Sequence, residues 1–484
     1  MVERIRNAYQ SLSEHPFVNG VLPHLLTVAG FLLALFVIAR LMSERKQPGN
    51  TVAWLLLIAF IPYVGVPLYL LLGGRKIKRL AARKTRLCPR LSDTVASSAA
   101  MGPTARIVNR DGVCPPVGGN RVRFLTTGED AYHELERRIK EARHTIHLTT
   151  FLLARDEVGR RLVSLLAKRA CEGVKVRLLL DALGCFRSSR GFVDPIRKAG
   201  GEVYRFMPML PLQPRRSANL RNHRKIAVVD HQLAILGGHN LAKEYMGPTP
   251  LRRRWRDFGA VIEGPAVNLL NEIFLADWAF ASEQSIDVLH KRLPPLSVPA
   301  AGMSELQVVA SGPDVEGDPL YEGILSAIQE AGQRVWIVTP YFIPDEVLFR
   351  TLLLKVRSGV EVRIVVPARS NHPVTDFARR HYLRELAAAG AQILFYTPTM
   401  NHAKLILVDE RIGLIGSANL DLRSLFVNFE VGVFIYSPSD CAALANWVRE
   451  VFSRCKPMPL TRMKRRRFFT TLGEDISRLL APLL

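Results

Sequence analysis

The chain has 484 residues, with 66 Lys and Arg against 43 Asp and Glu, a formal net charge of +23 at pH 7. That length exceeds one ordinary hydrophobic core, so two or more globular units are expected, and the surplus charge calls for an anionic partner, either nucleic acid or an acidic membrane surface. The 48% hydrophobic content supports packed domains and leaves room for membrane segments. Six cysteines, Cys88, Cys114, Cys171, Cys185, Cys441 and Cys455, form no CxxC pair and no regular spacing; they argue against a zinc site or a disulfide framework and fit a reducing compartment.

Two apolar stretches occupy the N-terminus, Val21 to Ile38 and Val52 to Leu72. Each is near the ~20 residues that cross a bilayer as a helix. The polar segment from Ser43 to Thr51, with Pro48 and Gly49, reads as a turn. Residues 1–75 are therefore expected to form a two-helix transmembrane anchor. A cleaved signal peptide competes for the first stretch, but no small-residue cleavage site is clear and a second span follows at once. Arg75, Lys76, Lys78, Arg79, Arg83, Lys84 and Arg86 then open a basic juxtamembrane linker, 76–104. By the positive-inside rule this cluster puts both the chain's start and everything after residue 75 in the cytoplasm, and it suits contact with anionic headgroups.

The remainder contains itself twice. RHTIHLTTFLLARDEVGRRLVSLLAKRACEGVKVRLLLD in a first half, 105–292, matches QRVWIVTPYFIPDEVLFRTLLLKVRSGVEVRIVVP in a second, 293–455. Strand, helix and strand joined by short turns mark an α/β class, here two tandem α/β/α halves. A Pro-rich stretch around Leu293 to Gly302 joins them, and a basic tail, 456–484, follows.

Each half delivers one polar constellation. The first is His223-Arg224-Lys225, Asp230, then Gly237-Gly238-His239-Asn240; the second is His402-Ala403-Lys404, Asp409, then Gly416-Ser417-Ala418-Asn419. A carboxylate follows in each half, Asp257 and Glu430. Residues i and i+2 of a strand share a face, so each His projects with its Lys. A lone HxK is weak evidence, because a histidine on an apolar strand is usually a satisfied core residue; two copies with one spacing make coincidence implausible. Two lysines and two asparagines can neutralise and hydrogen-bond the oxygens of a phosphodiester without a metal ion. One histidine can attack phosphorus while the other protonates the leaving alcohol, and Asp257 and Glu430 can fix the imidazole tautomers. One motif supplies one His, so a duplicated chain must fold with pseudo-twofold symmetry to bring both into one cleft.

The paired HxKxxxxD motifs resemble those of the phospholipase D superfamily. With WLLLIAFIPYVGVPLYLLLGGRK, LRNHRKIAVVD, WRDF, TPYFIPDE, HAKLILVD, GSANLDLRS and NFE, nearly the whole chain resembles the bacterial cardiolipin synthases. The resemblance implies phosphatidyl transfer from one phosphatidylglycerol to another, giving cardiolipin and glycerol. It assigns the nucleophile to His223 and acid–base duty to His402, needs no cofactor or metal, and makes anionic phospholipids and the bacterial inner membrane the partners. It makes Lys225, Lys404, Asp230 and Asp409 part of the motif, with the two aspartates at strand ends. Asn240, Asn419 and Ser417 are expected to support the phosphate, Ser417 alone offering a hydroxyl because Gly238 stands where the superfamily often has serine.

Lesser features have a bland reading beside the functional one. Arg215, Arg216, Arg221 and Arg224 could draw an anionic headgroup in, with a solvated face the rival for Arg215 and Arg216, and Arg252 to Arg254 could extend that rim. Tyr341, Phe342 and Pro344 suit an acyl entrance or the core, and Arg423 and Ser424 a substrate role or a turn. The tail sets Lys464 to Arg467 beside Phe468 and Phe469, which suits a membrane interface. Among rival functions, a hydrolase yielding phosphatidic acid needs only water as acceptor. A superfamily nuclease fits the charge but not a membrane anchor, so no nucleic acid is expected. A non-catalytic scaffold conflicts with two intact His–Lys pairs.

Overall fold

The computed structural model describes residues 22–43, 48–72, 101–110, 112–188, 191–207, 220–291, 298–315 and 317–459. The basic cluster 75–86, Arg215 and Arg216, part of the Pro-rich joint, and the tail with Lys464 to Phe469 lie outside these residues. The chain divides into two units, Met1–Gly74 and Arg75–Leu484.

In the first unit the apolar sequence forms three helices, Leu22–Ser43, Pro48–Phe60 and Pro62–Leu72. The second expected span is thus not one continuous helix. Pro62 lacks the N–H that would carry the hydrogen-bond ladder across Ile61, so the helix restarts there. Ala34, Val37, Ile58, Val66 and Tyr69 are packed together, whereas Phe31, Leu32, Phe36, Phe60 and Tyr63 are exposed. Among the described residues no helix is long and apolar enough to cross a membrane.

The second unit is built on a 15-stranded sheet. At its centre Val117–Leu125 and Ser304–Ser311 pair antiparallel, one strand from each half. Outward through the first half run Gly259–Glu263, Leu233–Gly237, Ile226–Val229, Thr145–Thr150, Lys175–Asp181 and Glu202–Phe206. Outward through the second run Glu430–Ile435, Ile412–Gly416, Leu405–Val408, Arg334–Val338, Glu361–Pro367 and Gln392–Tyr396, with Cys455–Pro457 added at the edge. The two orders are the same sequence of strands reflected about the centre. This is the duplicated α/β arrangement expected from the repeat.

The repeated Asp-Glu-Val has a structural reason. Asp156 and Asp345 are N-caps, accepting backbone N–H groups of the helices Glu157–Cys171 and Glu346–Arg357 that follow the first repeat strand. Helices Ala266–Ser282 and Pro438–Ser453 occupy matching places in the two halves and share one buried cluster. Leu269, Leu270 and Ile273 meet it from the first helix, and Leu444, Ala445 and Val448 from the second. The two halves therefore have a common core, which fixes the strand ends bearing the histidines. Among the described residues Cys171, Cys185, Cys441 and Cys455 are free, but Cys114 is disulfide-bonded, which departs from the expected reducing compartment.

Candidate active site

Ile226–Val229 and Leu405–Val408 are buried along their whole length. Four apolar residues that can lie nowhere but in the sheet bring the His–Lys segments before them, 223–225 and 402–404, to the middle of the unit. There each segment meets the other half. Asn222 bridges Phe429 in parallel, and Asn401 bridges Arg256. The His223 N–H donates to the Phe429 carbonyl at 2.9 Å, and the His402 N–H to that of Arg256 at 2.6 Å. The next residue of each partner segment is the carboxylate.

The outcome is a crossed pairing. His223 Nδ1 lies 3.0 and 3.1 Å from the two oxygens of Glu430. His402 Nδ1 lies 2.7 Å from Oδ2 of Asp257. Each imidazole is oriented by a carboxylate from the opposite half, which the sequence motifs alone do not reveal. With Nδ1 committed to a carboxylate, Nε2 is the nitrogen left for chemistry.

All of these groups are buried. Burial lowers the His223 pKa, against the pull of Glu430. Burial with the adjacent Lys404 ammonium pushes His402 down to about 3, against Asp257. Burial would raise the Asp257 and Glu430 carboxyls, yet both are held below the usual range, Asp257 by Lys404 and His402 and Glu430 by His223 and Lys225. Burial takes the Lys225 ammonium down to about 7 and that of Lys404 to about 8. Lys404 acts on His223 and Lys225 on His402, so the charges of both halves belong to one site. Lys225 Nζ donates to the His223 carbonyl at 2.6 Å; Lys404 Nζ donates to the His402 carbonyl and lies 2.8 Å from His402 Nδ1 and 3.2 Å from its Nε2. The arrangement offers two neutral imidazoles and two ammonium groups to an anion.

Asp230 and Asp409 do not join this cluster. Each stands at the far end of its strand with left-handed backbone, φ 51° and 50°. Asp230 accepts the N–H groups of Arg143, His144 and Thr145 at 2.7, 2.7 and 2.8 Å. Asp409 accepts those of Gly332, Gln333 and Arg334 at 2.7, 2.9 and 2.7 Å. These aspartates, the last members of the two motifs, clamp the start of the neighbouring strand.

Asn240 Oδ1 accepts the Leu152 N–H at 3.3 Å, and Asn419 is buried with its Oδ1 unbonded. The Ser417 hydroxyl is committed to Glu430 Oε2 at 2.5 Å while accepting the Val431 N–H at 3.0 Å. It supports the carboxylate rather than a phosphate. Aromatic rings surround His402, with Tyr245 at 5.0 Å and Trp255 at 5.6 Å between centroids; Phe151 stands 5.1 Å from His223. Trp255 stands in the WRDF motif, but the flanking role of these rings was not legible in the sequence.

Two arginines depart from expectation. Arg224, read as a headgroup-drawing residue, is fully buried: it pairs with Asp277 at 2.6 Å and donates to the Glu430 and Ser311 carbonyls at 2.9 and 3.1 Å. It ties the halves together beneath the site. Arg254 likewise turns inward to Glu129 rather than extending a rim.

The family model described as cardiolipin synthase, PLD-like domain matches residues 135–278 and 324–456, and a phospholipase D-nuclease N-terminal model matches 31–74. The chain is 32% identical to a cardiolipin synthase of Geobacillus thermodenitrificans, covering 97% of this chain and 96% of that protein. It is also 32% identical to cardiolipin synthase A of Pseudomonas fluorescens, covering 97% and 99%. In fold it is similar to the crystal structure of phosphatidylserine synthase from Haemophilus influenzae, with a TM-score of 0.61 and 15% identity over 79% of this chain and 99% of that one. The chain belongs to the cardiolipin synthase family of phosphatidyltransferases within the phospholipase D superfamily.

Proposed function

We propose that the site moves a phosphatidyl group from one phosphatidylglycerol to the free hydroxyl of another, through a covalent adduct on His223. The observation that carries this reading is the crossed pairing. Two neutral imidazoles, each with Nδ1 held by a carboxylate, share one pair of ammonium groups. The donor phosphate enters between Lys225 and Lys404, with the amides of Asn240 and Asn419 nearby. Burial and the lysines together hold His402 deprotonated; the bound phosphate's charge offsets the lysine share, and His402 gains a proton as the anion binds. Nε2 of His223 attacks phosphorus, the bond to the headgroup glycerol breaks, and His402 gives its proton to the departing oxygen. The acceptor hydroxyl then loses its proton to His402 and attacks phosphorus. The N–P bond breaks, and cardiolipin leaves with the site restored.

Membrane attachment belongs to the same proposal. The exposed Phe31, Leu32, Phe36, Phe60 and Tyr63 of the first unit suit an apolar solvent, and the basic residues 75–86 suit an anionic surface. We assign this unit to the bacterial inner membrane as a hairpin anchor, with the second unit cytoplasmic. Protease access to the second unit from outside intact cells would contradict that topology.

The test of function uses purified chain in mixed micelles with labelled phosphatidylglycerol. Cardiolipin with released glycerol, absent in His223→Ala, is the expected result. Phosphatidic acid alone would mean that water is the acceptor and that the enzyme is a hydrolase.

A further inference from the structure

The two sides of the cleft differ in a way that the repeat does not require. His402 stands among Tyr245, Trp255 and, at 6.5 Å, Tyr341. The His223 side carries two arginines instead. Arg221 precedes His223 by two residues, and Arg423 follows Asn419 by four. The equivalent positions across the repeat are Met400 and Glu244, so the basic pair exists on one side only.

Backbone pairing brings these arginines together. The Phe429 N–H donates to the Arg221 carbonyl at 2.9 Å, and the N–H of the preceding residue, Asn428, donates to the Arg423 carbonyl at 2.8 Å. Both arginines therefore hang on the two residues that lead into Glu430. Arg221 is buried, donating to the Met207 carbonyl at 2.8 Å and lying 3.9 Å from Asp181; Arg423 is half-buried. Two carboxylates face the pair, Asp181 and Asp421. Asp181 also accepts the N–H groups of Leu183, Gly184 and Asn222, and Asp421 that of Ser424, so much of their charge is shared with the backbone. Asp181 acts on both guanidinium groups, so the two lie within range of one charge, and an anion can be held by both.

The donor lipid brings one phosphate, which the histidines and lysines take. The acceptor phosphatidylglycerol brings a second, joined to its attacking hydroxyl by one glycerol. Residues i and i+2 of an extended segment share a face and lie about 6.6 Å apart along it, so Arg221 stands on the same face as His223 at a span that a glycerol bridge covers. Resting on the transfer reading above, we infer that Arg221 and Arg423 form a second anion subsite that holds the acceptor's phosphodiester. The subsite selects a phosphate-bearing alcohol over a neutral one.

The test offers two acceptors to one donor. Full-length chain in micelles receives phosphatidylglycerol with added ethanol, and cardiolipin and phosphatidylethanol are counted together. Both products arise from the same adduct, so their ratio isolates acceptor choice. Arg423→Gln is expected to lower the ratio of cardiolipin to phosphatidylethanol by about tenfold, the worth of one charge-assisted hydrogen bond. Arg423→Lys, which keeps the charge without the fork, is expected to fall between Gln and the native chain. A native ratio in Arg423→Gln, with both products falling in parallel or neither falling, would overturn the subsite. If the Gln variant yields neither product, Arg423→Lys decides: a lowered ratio supports the subsite and a native ratio overturns it. Native chain that makes phosphatidylethanol but no cardiolipin would instead overturn the transfer reading, and this inference with it.

Discussion

The carboxylate of Asp257 fills the space that a side chain at Gly238 would need: a Cβ at 238 would lie 2.7 Å from the Asp257 carboxyl carbon and closer still to its Oδ1. In the second half the longer Glu430 reaches its histidine with the Ser417 hydroxyl beside it. The two halves thus solve one problem twice, with Gly and Asp on one side and Ser and Glu on the other. Gly238→Ala is expected to displace Asp257 and release His402, lowering turnover about 10²-fold, comparable to loss of a general acid–base group. The accompanying stability loss should be about 1–3 kcal/mol, the usual range for overpacking. Steady-state rates beside thermal unfolding check this; native turnover in Gly238→Ala would contradict the placement of Asp257.

Ser417→Ala should act more gently. It removes one hydrogen bond to Glu430, and the Val431 N–H loses its side-chain acceptor. Turnover is expected to fall about tenfold with the acceptor preference unchanged. A changed ratio of cardiolipin to phosphatidylethanol would return Ser417 to substrate contact.

Arg224 holds the halves together from a fully buried position, against Asp277 and the carbonyls of Glu430 and Ser311. Removing one partner of a buried ion pair leaves the other uncompensated. Arg224→Ala is expected to cost about 3–5 kcal/mol of stability, measured by denaturant unfolding of the full chain. A loss within the range of surface substitutions would mean that the pair is solvated.

Acid should destabilise the chain through its buried imidazoles. Burial pushes His147 down to about 3, although its Nδ1 meets the side-chain oxygen of Asn271 at 2.8 Å. The unfolded chain binds this proton near pH 6.5, and the folded chain does not until about 3. Stability contributed by the neutral ring is complete above the unfolded value and is lost as pH falls through that window, by about 1.4 kcal/mol per pH unit. His147→Phe should flatten the slope between pH 6 and 4, as read from unfolding midpoints at ~0.5-unit steps. An unchanged slope would show that His147 titrates normally.

Two lysines stand beside the histidines, so the account predicts that a phosphodiester is neutralised without a divalent ion. Chelator is expected to leave the rate of cardiolipin formation unaltered. Loss in chelator with recovery on adding a divalent cation would contradict this.

Much of the site was written in the sequence because the chain repeats. The HxK spacing, the apolar IAVV and LILV runs and the Asp-Glu-Val caps depend on local periodicity, and local periodicity survives in one dimension. The crossed pairing of His223 with Glu430 and His402 with Asp257 does not, because it depends on which half meets which carboxylate. The same holds for Arg224, whose charge suggested a headgroup contact while its partners Asp277, Ser311 and Glu430 lie 53 to 206 residues away. Asp230 and Asp409 share the motif with the histidines, yet the four-residue strand between sends them to its other end. In the first unit hydropathy alone suggested an unbroken second span; Pro62 divides it, a backbone effect that a count of apolar residues overlooks.

The most direct test of the central claim is to find the covalent adduct. His402→Gln would be mixed with phosphate-labelled phosphatidylglycerol, quenched within the first turnover, digested, and the acid-labile phosphorus label located by mass spectrometry. The account predicts label on the peptide containing His223, formed and released slowly because the acid–base group is missing from both steps, and none in His223→Ala. Label on His402 in the native chain, or cardiolipin made at the native rate by His223→Ala, would contradict it.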